Sequence, residues 1–161
     1  MKSRLGLALI STLLSSPVYA QRAAPPTVLF VCEHGTVRSL IAKVYFEKYA
    51  AEAGLDMQAV SRGTRADSAL PAFMVQGLAA DRIALGSWRP QTLQPLDLKS
   101  ASLVVSFDVP TEATATATVP RIEVNGLPSV SANYEVGRDA IKQRVRQLVD
   151  SLKRAGVTRR D

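Results

Sequence analysis

The chain has 161 residues, 47% of them hydrophobic, with 20 Lys and Arg against 14 Asp and Glu. That length suffices for one domain with its own core. The single cysteine, Cys32, excludes an internal disulfide framework, and with the single histidine, His34, it supplies too few ligands for a metal site. No dense basic stripe with interleaved aromatics argues for a nucleic-acid partner.

The first twenty residues differ from the rest. Lys2 and Arg4 precede an apolar run from Leu5 to Leu14, Ser15-Ser16-Pro17 breaks it, and Val18-Tyr19-Ala20 places small residues where a signal peptidase reads. Residues 1–20 are therefore expected to be a signal peptide, the apolar run being short for a permanent anchor. The expected mature chain, 21–161, forms one domain. It is exported to the periplasm or secreted, with no membrane span left after cleavage. It carries 18 basic and 14 acidic residues, a net charge of +4. A mildly basic surface suits anionic substrates without identifying one.

Beyond the leader, β-like and helix-like runs alternate. Thr27–Val31 is continuously apolar, as for a strand covered on both faces. Residues 38–53 read as a helix with Leu40, Ile41, Val44 and Tyr45 on one face and Gly54 as its stop. Met57–Ser61 is a short strand, and Pro71–Leu85 contains a second helix. Ser102–Phe107 and, after Pro120, Arg121–Val124 are two more strands. Thr111–Val119 is locally repetitive and reads as a surface loop or a frayed helix turn. Ile141, Val145, Leu148 and Leu152 stripe a last helix over 138–154. This order predicts an α/β fold of three layers: a four-stranded parallel sheet with helices on both faces. Ligands in such folds bind beyond the carboxyl ends of the strands, where residues 32–38 lie.

There, five residues separate Cys32 from Arg38, and Ser39 follows. A tight loop of that length can turn successive N–H groups inward as an anion nest, and the following helix adds its positive end. The planar fork of Arg38 can hold two phosphate oxygens. The same field favours a thiolate at Cys32, and the Ser39 hydroxyl can donate to the sulfur. Gly35 can supply the positive φ that a tight loop needs. The candidate catalytic residues are Cys32 and Arg38. The candidate substrate-binding residues are Glu33, His34, Gly35, Thr36, Val37 and Ser39.

VLFVCEHGTVRS followed by LIAKVYFEKYA resembles the N-terminus of the low-molecular-weight protein-tyrosine phosphatases and the related arsenate reductases. The family's loop runs C-x-x-N-x-x-R-S, and Gly35 stands where its asparagine takes the left-handed conformation. Ser61-Arg62-Gly63-Thr64 resembles the family's S-A-G-T, and Val104–Asp108 its third strand, which ends in an aspartate. The resemblance spans about residues 27–154. It implies a phosphatase-type loop after the first strand and hydrolysis of phosphomonoesters through a cysteinyl-phosphate. The substrate would be a phosphorylated small molecule or a phosphotyrosine protein, with neither cofactor nor metal.

One departure is chemical. The family's Asp-Pro pair after the fourth strand, whose aspartate protonates the leaving oxygen, corresponds to Leu127-Pro128, and leucine donates no proton. Glu33, Asp67, Asp108 and Glu123 are the candidate carboxylates to replace it. His34 could sense pH or line the mouth of the pocket, but reads more readily as a loop side chain pointing outward; Trp88 could wall an aryl substrate, but reads more readily as packing on the sheet edge. Nothing in the sequence places Arg65, Arg89 or Tyr134. Two alternatives to a phosphatase stay open: a pseudophosphatase that binds phosphate without turnover, and an arsenate reductase using an external thiol, since the chain has no second cysteine.

Overall fold

The six residues Thr27–Cys32 form β1 and organise everything else. In the computed structural model, which describes residues 24–156, β1 pairs in parallel with β2 (Gln58–Gly63) on one side and β3 (Leu103–Phe107) on the other. The fourth strand, β4 (Arg121–Val124), pairs in parallel with β3, giving the order β2-β1-β3-β4. The leader expected over 1–20 lies outside the described residues.

A central parallel strand meets apolar layers above and below, so it must be apolar at every position. Val28, Leu29, Phe30 and Val31 are all 0% exposed. Their side chains alternate between two cores. Val28, Phe30 and Cys32 pack in the larger core, beneath α1 (Arg38–Ala53) and α4 (Tyr134–Arg154). Leu29 and Val31 face the smaller one, covered by Leu98 of α3 (Pro95–Ser100) and by Ala117 and Val119, which follow the 3-10 segment Thr111–Thr114. Helices thus cover both faces of the sheet, as expected, but unequally.

The helices follow local chemistry. Ala42, Tyr45, Phe46, Tyr49 and Ala50 of α1 are buried at helical spacing, and Gly54 ends the helix in the left-handed conformation (φ 71°). The second helix, α2 (Ala72–Ala80), stops five residues before the expected Leu85. The chain leaves it at Asp81, and Arg82 adopts φ 58°. Ile83 and Leu85 still reach the core from the turn beyond, so the apolar pattern outlasts the helix. The sequence reading passed over α3: six residues opening on Pro95, with the Asp97 carboxylate accepting from the Gln94 N–H at 2.8 Å, are too short to show a period. The last helix starts at Tyr134 rather than 138, because the Asn133 side chain caps it by accepting from the Val136 N–H at 3.1 Å.

After β2 on one side of β1, the chain crosses to β3 on the other. That reversal opens a crevice at the carboxyl ends of β1 and β3, where such sheets hold ligands. Among the described residues no helix is long and apolar enough to cross a membrane.

Candidate active site

Cys32 is the last residue of β1, and Arg38 the first of α1. The loop between them is held from outside by the chain after β2. The Cys32, Glu33 and His34 carbonyls accept from the N–H groups of Thr64, Arg65 and Asp67 at 3.0, 2.8 and 3.0 Å. In a trans peptide the N–H points away from the C=O. The N–H groups of Glu33, His34 and Gly35 are therefore turned to the opposite side. That of Gly35 is seen there, 3.2 Å from the Cys32 sulfur. Three successive inward amides make an anion nest.

The close approach of the two segments needs two glycines. Gly35 has φ 72°, and a Cβ on it would come within 2.7 Å of the Gly63 nitrogen. A Cβ on Gly63 would come within 2.8 Å of the Gly35 nitrogen. Ser39 is fully buried, its hydroxyl 3.1 Å from the sulfur, so the sulfur sits among groups that a thiolate accepts from. Val37, at the head of α1, supplies no side-chain cap, and the helix's positive end faces the loop.

Arg38 is anchored by the far half of the chain. Its guanidinium lies 2.7 Å from Asp108 Oδ2 and donates to the Leu127 carbonyl at 3.2 Å. Asp108 follows β3 with φ 47°, and its other oxygen accepts from the Gly126 N–H at 2.9 Å. The loops after β3 and β4 thus fix the guanidinium plane, and its remaining N–H groups are left for another acceptor. Cys32 and Arg38 line one cleft of about 370 Å³, whose apolar wall includes Phe73, Phe107 and Val130. It has room for a phosphate and the first atoms of the group that carries it.

The sequence profile described as low molecular weight phosphotyrosine protein phosphatase matches residues 27–124. The chain belongs to this family. Its fold is shared by YfkJ from Bacillus subtilis at 19% identity and a TM-score of 0.73, covering 83% of this chain and 98% of that one. The YwlE arginine phosphatase matches at 22% identity and a TM-score of 0.68, over 79% of this chain and 95% of that one. An arsenate reductase in its phosphate-binding state matches at 16% and 0.60, over 83% and 99%. Among curated proteins, none matches.

Within this phosphatase the expected site residues divide by position. Glu33, His34 and Val37 line the cleft with Cys32 and Arg38. Gly35 and Ser39 sit against the sulfur. Thr36 is fully buried and donates its hydroxyl to Asp67 at 2.7 Å, so it braces the loop instead of facing substrate. Of the four carboxylates weighed as proton donors, Glu123 is on β4 and lines a separate groove between β4 and α4. Asp108 is engaged by Arg38, and Glu33 by Arg65 at the rim. Asp67 accepts from Thr36 and lies 3.0 Å from His34 Nδ1. The outward-pointing loop histidine of the sequence reading is in fact a partner of Asp67 and part of the cleft.

Tyr134 and Arg89 are not among the residues that line the cleft. Tyr134 donates to Asp81 and Arg89 to the Trp88 carbonyl, while Trp88 packs half-buried on the main core. Sequence reasoning missed the Leu127 carbonyl as an anchor of Arg38 and Phe73 as a wall. Neither carries a local signal, because each reaches the cleft through packing alone.

Proposed function

We propose that this phosphatase hydrolyses phosphomonoesters through a cysteinyl-phosphate on Cys32. The observation that carries the reading is the convergence of the sulfur, three inward amides and the anchored Arg38 guanidinium on one cleft. The sulfur attacks phosphorus and the bond to the leaving oxygen breaks. Charge on the three phosphoryl oxygens is met by the loop amides, the head of α1 and Arg38. Water then attacks the phosphocysteine and releases phosphate, with the Ser39 hydroxyl donating to the departing thiolate. A mutant of the YwlE arginine phosphatase, which shares this fold, has serine in place of a cysteine and has been captured with that active-site serine phosphorylated, a covalent state of the same kind.

The substrate class is a phosphorylated small molecule or a phosphotyrosine protein, its carbon group against Phe73 and Phe107. The leader pattern of residues 1–20 directs the enzyme to the periplasm or outside the cell. A single preparation tests both parts. Protein from the periplasmic fraction should begin at Gln21 by mass spectrometry and hydrolyse p-nitrophenyl phosphate, and Cys32→Ser should abolish that hydrolysis. Recovery only from the cytoplasm with residues 1–20 intact sinks the export reading. A wild type as inert as Cys32→Ser sinks the phosphatase reading.

A further inference from the structure

Breaking a phosphomonoester leaves an alkoxide or phenoxide that needs a proton. The cleft offers few donors. Asp108 accepts from Gly126 and pairs with Arg38, contacts that suit a charged carboxylate. Glu33 pairs with Arg65, and Asp67 accepts from Thr36. The Ser129 and Ser131 hydroxyls lie 3.0 Å from one another and are weak acids. Pro71, Phe73, Phe107 and Val130 have no proton to give.

His34 remains. It lies two residues after the nucleophile, in the lining of the same cleft, its side chain 46% exposed. Its Nδ1 is 3.0 Å from Asp67 Oδ1, and its Nε2 is 3.6 Å from Glu33 Oε2. A carboxylate accepting at Nδ1 fixes that nitrogen as N–H and makes Nε2 the nitrogen that gains and loses a proton. Asp67 is itself held, through Thr36 and through its own N–H on the His34 carbonyl, so the ring is oriented by a braced partner. The ring is thus faced by Glu33 and Asp67, with Arg65 beyond Glu33, and Cys32, Arg38 and Asp108 line the same cleft.

We propose that His34, oriented by Asp67, is the general acid and base of this enzyme, a role that rests on the phosphatase reading above. In the first step the Cys32 sulfur bonds to phosphorus and the P–O bond to the leaving group breaks. Its electron pair stays on the departing oxygen, which takes the Nε2 proton from the imidazolium. In the second step the neutral imidazole takes a proton from water as its oxygen bonds to phosphorus. The S–P bond breaks, its electron pair returns to Cys32, and the imidazolium is restored. Asp67 is a positioning residue.

The test compares two substrates on one preparation, so that any unfolded fraction cancels in the ratio. For His34→Asn and, as a second variant, His34→Gln, kcat/KM on phenyl phosphate should fall about 10²-fold. On 2,4-dinitrophenyl phosphate, whose leaving group needs little protonation, the loss should be only several-fold. Asp67→Asn should cost more on phenyl phosphate than on 2,4-dinitrophenyl phosphate, by a smaller factor than the His34 variants, whereas a purely structural role would slow both substrates equally. Equal losses on the two substrates, or none, overturn the assignment while leaving the phosphatase standing. A wild type that releases no more 2,4-dinitrophenolate than Cys32→Ser removes the phosphatase itself, and His34's role with it.

Discussion

Two clusters in this protein are built from the same kinds of group, an arginine, carboxylates and hydroxyls, and they serve opposite ends. Around Asp81, the hydroxyls of Tyr45 and Tyr134 both donate to Oδ2 at 2.9 Å, and Arg138 donates to Oδ1 at 2.6 Å. Arg138 also donates to Asp139 at 3.0 Å and lies over the Tyr134 ring. Burial, and then the hydrogen bond to Asp81, push both tyrosines well above their usual range. The contact with Asp139 raises Arg138 and lowers Asp139 in turn. This cluster ties α1 and the end of α2 to α4, and its donors meet acceptors inside the protein. At Cys32 the carbonyls are satisfied from behind and the amides are aimed at an open cleft. Exposure is a poor guide to the difference, since the Arg38 and Arg138 side chains are 26% and 15% exposed. What separates them is the bonding capacity left over: none is needed at a brace, and a ligand uses it at a site.

Substitutions can break that contrast. The largest effect is expected for Arg38→Lys. Lysine keeps a charge near Asp108 but loses the planar fork, so kcat/KM for aryl phosphates should fall about 10³-fold with little change in the melting temperature. Asp81→Ala should do the reverse. Removing the shared acceptor leaves two tyrosine hydroxyls and the Nη1 side of Arg138 without their partner, and urea denaturation should show about 3 kcal/mol less stability. The rate per folded molecule on an activated aryl phosphate should stay intact. Tyr45→Phe removes one hydrogen bond of that brace and should cost about 1 kcal/mol in the same titration. If Arg38→Lys proved as destabilising as Asp81→Ala, the division between site and brace would fail.

The parts of the fold legible in the sequence were those with a local cause. The apolar run at 27–31 reads as a central strand because both faces of that strand are covered. The helix over 38–53 ends where Gly54 permits a left-handed turn. The helix α3 escaped because six residues hold too little pattern, and α2 read too long because Ile83 and Leu85 remain apolar after the helix has ended.

By itself the sequence determined the strand, loop and helix that bring Cys32, Gly35, Arg38 and Ser39 together, since eight consecutive residues need no distant partner to meet. Tertiary structure alone decided what holds and completes them. Asp67 reaches His34 across 33 positions because β2 lies beside β1, and the Leu127 carbonyl reaches Arg38 across 89 because β4 ends at the same edge of the sheet. Contacts between residues so far apart in the chain follow from which strands are neighbours, and strand order is a property of the packed sheet that no local run of residues encodes.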